Sequence, residues 1–350
     1  MENNLVLVVG TAECSGGGVS SVIKLIKKMP VWDKYQCYWL GTQIQAGKWT
    51  KMRYAITSYI KTLFIIWQYK IVHFHTVPDV SMIVQLPVFA LALLARKKII
   101  LHLHVGNQLT MPHVIDFKLA HWCMRKADTI VLLADQFANF LEQYWQDVKT
   151  PHRVIYNACD DVATIPYEQH KHTILFCGRF TDNKSADTLI KAFGKIYQKY
   201  PDWKLQFLAE GPEENKCRQL IKYLGLESHV EMPGFVFGEA KAEYFRQAGI
   251  FCLCSHFEGF PMVVLEAWAY GVPVVSTPVG ALPEVIEKGK TGFIYDIEDV
   301  DALADILDKV ICDKDLRHKM SIYSKKYVED KFSLLTINEQ IDEMYQKLLK

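Results

Sequence analysis

Thr173-Ile-Leu-Phe-Cys-Gly-Arg-Phe-Thr-Asp-Asn-Lys184 is a short apolar run that ends in a glycine and two cations, halfway along the chain. Its apolar part predicts a buried strand, and the residues after it predict a turn into a helix. Similar runs alternate with helical patterns throughout, which is typical of a parallel sheet covered by helices on both faces. The predicted strands are Leu5–Val9, Ile71–Phe74, Ile99–Leu103, Thr129–Leu133 and Val154–Tyr156, then Thr173–Cys177, Leu205–Ala209, His229–Met232, Ile250–Cys254, Pro273–Ser276 and Gly292–Tyr295.

A break in this pattern divides the chain. Residues 157–172 carry Asp, Pro and several charges, as a linker does. The alternation restarts at Thr173, so we predict an α/β protein of two doubly wound, Rossmann-like domains, at residues 1–160 and 161–335. A final helix is expected at 336–350. In the first domain the predicted helices start near Val19, Tyr54, Ser81, Asp116 and Gln136.

Composition excludes several classes of protein. The 350 residues are half apolar, which excludes a disordered chain or a fibre. A formal net charge of +1 argues against a dedicated nucleic-acid binder. The first 165 residues, however, hold 17 Lys and Arg against 11 Asp and Glu, which suggests an anionic ligand or surface on that side.

The cysteines and the apolar stretches indicate where in the cell the protein is located. Nine cysteines without a CxxC pair indicate reduced thiols and a cytoplasmic setting. The amino terminus lacks the basic start of a signal peptide, and the longest apolar stretch, 82–95, is too short to span a bilayer. Peripheral attachment to the inner face of the cell membrane stays open.

Candidate binding residues lie in the turns that follow strands, where parallel sheets bind ligands. Gly16, Gly17 and Gly18 would let backbone N–H groups approach a phosphate or sugar, although a merely tight turn is an equal alternative. Arg179 and Lys184 could neutralise a diphosphate. The alternative for this pair is a solvated Arg and Lys at a helix entry.

Two glutamates mark the densest motif, Ser255-His-Phe-Glu-Gly-Phe-Pro-Met-Val-Val-Leu-Glu266. Glu266 stands among apolar residues, where a carboxylate is costly unless it is hydrogen-bonded, and a ribose diol would serve. A structural ion pair of Glu266 with Lys184 or Arg179 is the alternative. For Glu258, the alternative is a helix N-terminal charge.

Together these motifs resemble the retaining GT-B glycosyltransferases of family 4. The resemblance implies two domains facing a central cleft, with the C-terminal helix packing back on the first domain. It implies that Arg179 and Lys184 hold the diphosphate of a nucleotide-sugar, Glu258 the transferred sugar and Glu266 the ribose. Gly16, Gly17 and Gly18 would approach the donor from the first domain, and His104 would lie near its sugar. The remaining donor-binding residues implied are Glu210, Gly234, Phe235, Gly259, Phe260, Pro261 and Leu265.

The histidines of the first domain allow a second interpretation. His102 and His104 share one face of a predicted strand, as do His73 and His75, so metal ligation is conceivable. No carboxylate follows at a matching spacing, and we therefore favour satisfied core histidines and predict no metal. His102 could substitute for His104 near the sugar.

The chemistry implied by the resemblance needs no cofactor. Cations and helix dipoles can stabilise the leaving diphosphate without a metal ion. The Asp313-Lys-Asp315 sequence lies in a helical connector, where it indicates a capping turn rather than a metal site. A dehydrogenase is disfavoured by the glycine spacing. A non-catalytic nucleotide-sugar-binding subunit is the remaining alternative.

The acceptor is expected to be a saccharide or a polyprenyl-linked saccharide of surface polysaccharide biosynthesis. Residues 48–70 mix Trp and Tyr with Lys and Arg and contain no acid. Such a segment suits a helix lying on anionic lipid. An ordinary core helix with a solvated basic face is an equal alternative.

Overall fold

The computed structural model describes residues 5–78, 80–104, 115–160 and 171–350. The chain forms two compact units. Unit 1 comprises residues 1–158 and 333–350, and unit 2 comprises residues 159–332. Most of the predicted linker, residues 161–170, lies outside the described residues.

Each unit contains one six-stranded sheet in which every neighbouring pair of strands is parallel. The predicted α/β class with two doubly wound sheets is therefore confirmed. The central strands are buried on both faces, as parallel strands between helix layers must be. The strands are β1 (Val6–Thr11), β2 (Tyr38–Gln43), β3 (Ile71–Thr76), β4 (Lys98–Leu103), β5 (Thr129–Leu132) and β6 (His152–Val154) in unit 1, and β7 (Thr173–Arg179), β8 (Lys204–Glu210), β9 (Val230–Glu231), β10 (Ile250–Leu253), β11 (Val274–Ser276) and β12 (Gly292–Ile294) in unit 2.

Helices connect the strands and bury one apolar face against the sheets. In α1, for example, Val22, Ile23 and Ile26 are buried, at the spacing that places them on one face. The helices are α1 (Gly18–Lys27), α2 (Pro30–Lys34), α3 (Lys48–Ile65), α4 (Val80–Leu94), α5 (Ile115–Lys126), α6 (Asp135–Tyr144), α7 (Ala186–Ile196), α8 (Glu214–Tyr223), α9 (Gly238–Gln247), α10 (Met262–Ala269), α11 (Leu282–Val285), α12 (Val300–Cys312), α13 (Lys314–Phe332) and α14 (Leu334–Leu349).

The last helix, α14, belongs to unit 1. Asn338 accepts a hydrogen bond from the backbone N–H of Val31 at 2.9 Å, and Asp342 accepts one from the hydroxyl of Tyr35 at 2.6 Å. Tyr345 is fully buried and packs edge-on against the Tyr35 ring. The predicted packing of the C-terminal helix on the first domain is thus confirmed.

Strand order places one switch point in each sheet. In unit 1 the order is β2-β1-β3-β4-β5-β6, so connections leave β1 and β3 in opposite directions. In unit 2 the order is β12-β11-β10-β7-β8-β9, and the same reversal falls between β7 and β10. Ligands of open α/β sheets bind beyond the carboxyl ends of the strands at such a point.

The connection between α12 and α13 settles the role of the Asp313-Lys-Asp315 sequence. Asp313 lies between the two helices, and its carboxylate accepts a hydrogen bond from the backbone N–H of Leu316 at 2.8 Å. It therefore caps the first turn of α13, as predicted.

Candidate functional site

The candidate site of unit 2 lies at its switch point, where β7 and β10 end side by side. Arg179 is the last residue of β7 and is exposed, and its guanidinium has no ion-pair partner among the described residues. The turn after β7 contacts the loop after β10 through Asn183. Its carbonyl accepts from the N–H of His256 at 2.8 Å, and its amide donates to the carbonyl of Phe257 at 3.2 Å. These bonds fix the two predicted motifs against each other.

Lys184 and Glu258 form an ion pair at this junction. Both side chains are mostly buried, with 21% of Lys184 and 15% of Glu258 exposed. Ser255 donates a hydrogen bond to the same carboxylate oxygen at 2.7 Å. Charged groups that are this far removed from water require such partners. The structure thus brings together Lys184, which is predicted to bind phosphate, and Glu258, which is predicted to bind the transferred sugar.

Glu266 pairs with Lys241, a residue of α9 that the sequence analysis did not select. The Nζ–Oε2 distance is 2.5 Å. Glu266 thus does form an ion pair, the suggested alternative, but its partner is Lys241 and not Lys184 or Arg179. Burial opposes the charge of Lys241, but the nearby Cys177 and Glu266 favour the ammonium, so that its pKa is raised. In the sequence, only its position near the start of the helix after the Gly234 loop marks Lys241.

The loop from Glu258 to Pro261 is held tightly by the residues after β11. The backbone N–H of Ala281 donates to the carbonyl of Gly259 at 2.8 Å. Gly280 has a φ of +54°, and a Cβ there would lie 1.8 Å from the carbonyl oxygen of Gly259. Only glycine fits this close approach.

Several predicted donor-binding side chains in this loop and helix are buried. Phe260 packs on Phe332, with ring centroids 5.3 Å apart, and Leu265 is fully buried in α10. Pro261 is the N-cap of α10 and is also buried. Phe260 can therefore offer its backbone to a ligand, whereas Leu265 contributes by holding the helix that carries Glu266.

Glu210, at the end of β8, meets the predicted base-binding loop. Its carboxylate accepts a hydrogen bond from the backbone N–H of Phe235 at 3.1 Å. Gly234 adopts a φ of +87°, which favours glycine at the turn. Phe235 and Phe237 are both exposed, with ring centroids 6.5 Å apart. Exposed aromatic faces of this kind can stack on a nucleobase.

In unit 1 the glycine-rich loop joins β1 to α1 at the other switch point. Gly16, Gly17 and Gly18 are exposed, and Gly17 has a φ of +118°. Ser20 and Ser21 each donate a hydroxyl hydrogen bond to the carbonyl of Gly17 at 3.0 Å. Among the described residues no side chain caps the start of α1, so the N–H groups of its first turn are available to a ligand.

His104 follows β4 in unit 1. One of its ring nitrogens, Nε2, lies 2.9 Å from Nδ1 of His75, and its ring stacks on His102 at 4.5 Å between centroids. Burial lowers the pKa of His104 to about 3, so the imidazole is neutral near pH 7. The residues that follow His104, 105–114, lie outside the described part of the chain.

Helix α3 has an inverted distribution of polarity. Its buried residues are Ser58 and Thr62, and Ser58 donates to the carbonyl of Gly41 at 2.6 Å. Lys48, Lys51, Arg53 and Lys61 are exposed, and residues 34–78 contain no Asp or Glu. No helix in the described ranges is both long and apolar enough to cross a membrane. The large apolar side chains of the segment face outward at a spacing of three to four residues and form what we call the α3 stripe: Trp49, Met52, Ile56, Ile60, Leu63, Phe64 and Trp67.

Comparison with known proteins finds a family model and several relatives that resemble unit 2. Residues 163–327 match the model of the family described as Glycosyl transferases group 1. N-acetyl-alpha-D-glucosaminyl L-malate synthase of Bacillus anthracis is 31% identical over 177 residues, which are 51% of this chain and 46% of that protein. The capsular polysaccharide biosynthesis glycosyltransferase CapM of Staphylococcus aureus is 31% identical over 175 residues, or 50% of this chain. The chain thus spans less than half the length of both relatives.

Solved structures resemble the whole chain. HepE of Anabaena, in complex with UDP, has a TM-score of 0.82 at 19% identity, covering 98% of this chain and 100% of its own. Sucrose-phosphate synthase of Thermosynechococcus elongatus has a TM-score of 0.83 at 16% identity, covering 99% of each chain. At such identities the likeness establishes the fold, and the predicted GT-B fold is confirmed.

Proposed function

Because residues 163–327 match the model of the family described as Glycosyl transferases group 1, we propose that this chain transfers a sugar from a nucleoside-diphosphate sugar to a saccharide acceptor. The observation that carries the proposal is the junction of Lys184 and Glu258 at the switch point of unit 2. A cation suits the phosphates of the donor, and a carboxylate suits sugar hydroxyls. Their contact supports assigning the phosphate next to the transferred sugar to Lys184 and that sugar to Glu258.

The diphosphate is neutralised by Arg179 and Lys184. Breaking the bond between the anomeric carbon and the phosphate oxygen builds negative charge on the leaving nucleoside diphosphate. Arg179 is exposed at the end of β7, so its guanidinium can receive two phosphate oxygens. Fixed cations of this kind act without a metal ion, and we assign a metal-independent reaction.

The hydroxyl groups of the donor are held by the two glutamates. Glu258, with the backbone of Gly259 and Phe260, binds the transferred sugar. Glu266 accepts hydrogen bonds from the ribose, and Lys241 holds its carboxylate in place. Phe235 stacks on the base, beside the Glu210 carboxylate that fixes the loop.

The transfer retains the anomeric configuration. The acceptor hydroxyl attacks the anomeric carbon on the face that the diphosphate leaves, a new C–O bond forms, and the acceptor proton passes to the departing phosphate oxygen. No side chain has to serve as general base in this step.

The acceptor is a lipid-linked saccharide, reached while unit 1 lies on an anionic lipid surface. The α3 stripe supplies apolar side chains that can enter the interface, and the four basic residues beside it supply attraction to anionic headgroups. The relative CapM is named for capsular polysaccharide biosynthesis, which is consistent with such an acceptor.

A panel of nucleotide-sugars tests the transferase proposal, starting with UDP-glucose because a HepE structure holds that compound. We expect slow hydrolysis of one donor without acceptor. Arg179→Ala and Glu258→Ala should each lower that turnover by at least about 100-fold, the usual cost of losing one group that stabilises the transition state. Arg218→Ala, which removes an exposed arginine of α8, is the control and should keep full turnover.

Two results would contradict the proposal. Full turnover in Arg179→Ala or Glu258→Ala would show that the substituted residue takes no part in the reaction. Tight binding of a nucleotide-sugar, with no turnover of any donor in the panel with or without acceptor, would instead favour a non-catalytic nucleotide-sugar-binding subunit.

A further inference from the structure

Four histidines form a cluster in the centre of the unit 1 sheet, three of them buried and His104 partly buried. They belong to two His-x-His pairs, His73 and His75 on β3 and His102 and His104 at the end of β4. The strands are neighbours, and His75 stands directly opposite His102 in the parallel register. Alternate residues of a strand share one face, so the imidazoles of both pairs project to the same side of the sheet.

The rings lie within reach of a common point. Ring centroids are 4.3 Å apart for His73 and His75, 4.7 Å for His75 and His102, and 5.5 Å for His73 and His102. One nitrogen from each of these three rings lies within 4.8 Å of the other two. A tetrahedral zinc ion with bonds of roughly 2.0–2.1 Å requires nitrogens roughly 3.4 Å apart, so small side-chain movements suffice.

The hydrogen bonds of the cluster leave a defined set of nitrogens free. Nδ1 of His73 lies 2.8 Å from the hydroxyl of Tyr345, and Nδ1 of His75 lies 2.9 Å from Nε2 of His104. Nε2 of His73, Nε2 of His75 and both nitrogens of His102 have no hydrogen-bond partner in the described part of the chain. The expectation of satisfied core histidines therefore holds for one nitrogen each of His73 and His75 and fails for His102, whose two ring nitrogens both lack a partner among the described residues.

This pattern is that of a metal site rather than of an ordinary core. Metal-binding imidazoles usually bond through one ring nitrogen to an outer partner and offer the other to the ion. His73 and His75 do so, with Tyr345 and His104 as outer partners. Unpartnered buried nitrogens are otherwise costly, because they have lost water without gaining a bond. An ion bound to three of them removes that cost.

We propose that His73, His75 and His102 bind one divalent transition-metal ion, with zinc as the preferred ion. Neutral imidazole is a ligand suited to zinc, and a site of three histidines leaves a fourth position for water. The three residues are 0%, 0% and 3% exposed, so the ion would be enclosed by unit 1.

The ion stabilises unit 1. It joins β3 to β4, and through His73 and Tyr345 it also supports the packing of α14. The groups assigned to the phosphates, Arg179 and Lys184, belong to unit 2, so the proposed transfer step needs no metal from this cluster.

Metal analysis of the purified chain tests the inference directly. We expect about one zinc per chain, and cobalt added to chelator-treated protein should give the strong visible absorption of a tetrahedral Co²⁺ site. His102→Gln should lose both signals. Tyr345→Phe should retain the site with roughly 10–100-fold weaker binding, as outer-partner changes usually do. His121→Ala, which removes a surface histidine paired with Asp147, is the control and should keep both signals.

If His102→Gln does not fold, the cobalt titration of the chelator-treated wild-type chain tests the proposed site by itself. Absence of stoichiometric zinc together with absence of a cobalt spectrum and of any thermal shift with zinc would overturn the inference, leaving the histidines to bind water only. The nucleotide-sugar panel is read separately. Sugar transfer by a chain that binds neither zinc nor cobalt would overturn this site without affecting the proposed function, and stoichiometric metal in a chain that turns over no donor would do the reverse.

Discussion

Lys184 and Glu258 form an ion pair across the switch point of unit 2, although 73 residues separate them in the sequence. Each is mostly buried, so removing one leaves the other with a charge that water cannot fully solvate. We expect Lys184→Met and Glu258→Gln to destabilise unit 2 individually, and the double variant to lose less than their sum. Denaturant unfolding of the four proteins should give a coupling of about 0.5–3 kcal/mol.

The exposed pair Asp187 and Lys191 on α7 is a matched control for that measurement. These residues are four apart on a helix and roughly half exposed. Their coupling should be about 0.3–0.5 kcal/mol. Equal couplings for the two pairs would show that the Lys184–Glu258 pair is an ordinary surface contact.

In the proposed function, Lys241 acts on the donor through its ion pair with Glu266. Lys241→Met keeps the length of the side chain but frees the carboxylate, which should raise the KM for the nucleotide-sugar about tenfold, or ~1.4 kcal/mol. The kcat should change little, because binding common to ground and transition states is lost. Lys241→Arg should restore most of the affinity.

Lys222→Met, on the exposed surface of α8, controls for the loss of a lysine in the same unit. It should leave both kinetic constants unaltered. A fall in kcat at constant KM for Lys241→Met would place Lys241 in the chemical step and contradict its role as a positioning residue.

Gly280 determines the position of the Glu258–Pro261 loop. Gly280→Ala places a methyl group on the Gly259 carbonyl, so the loop must move. We expect at least a 100-fold loss of donor turnover, as for loss of Glu258 itself. Gly225→Ala has the same backbone strain, with a φ of +68° and no atom within 4 Å of the new Cβ. That variant should lose about 1–2 kcal/mol of stability and keep its activity. Equal turnover in the two variants would argue against the steric explanation.

Binding to a membrane should depend both on the apolar α3 stripe and on the four basic residues beside it. Replacing Lys48, Lys51, Arg53 and Lys61 with Gln removes four attractions of about 1 kcal/mol each, which weakens binding to phosphatidylglycerol vesicles by up to a thousandfold. Replacing Trp49, Phe64 and Trp67 with Ser should abolish the residual binding. Neutral phosphatidylcholine vesicles should bind all proteins weakly.

A variant with the same change of charge elsewhere controls this experiment. Lys195, Lys199, Lys204 and Lys216 are exposed on unit 2, and their replacement with Gln should leave vesicle binding unaltered. If both quadruple variants lose binding equally, net charge rather than the α3 surface governs the interaction. Unchanged binding in the α3 variant would contradict the membrane proposal.

Much of the fold is predictable from sequence because buried parallel strands are continuous apolar runs. β2 was missed because it is an edge strand, Tyr-Trp-Leu-Gly-Thr-Gln, and only partly buried. The start of α3 was placed at Tyr54 instead of Lys48, because its apolar residues face outward and give no core-facing pattern. β6 covers His152–Val154 rather than the predicted Val154–Tyr156, and it is also an edge strand.

The sequence predicted those residues of the candidate site that lie in motifs directly after strands. Arg179, Lys184 and Glu258 were selected because each follows a buried strand, and strand order brings those strands together. Lys241 lies on α9, and its approach to Glu266 depends on how two helices pack. The pairing of β3 with β4 likewise determines which histidines meet, and the spacing of each His-x-His pair carries no information about that partner.

The return of α14 to unit 1 has a consequence for biosynthesis. All residues of unit 2 leave the ribosome before residue 333, whereas Tyr345, which is buried in unit 1, emerges after them. Unit 2 can therefore fold during translation, while unit 1 keeps an uncovered apolar surface until α14 has emerged. In a chain that stalls or is cut before α14, unit 1 would be disordered before unit 2. Chaperones would be expected to bind unit 1.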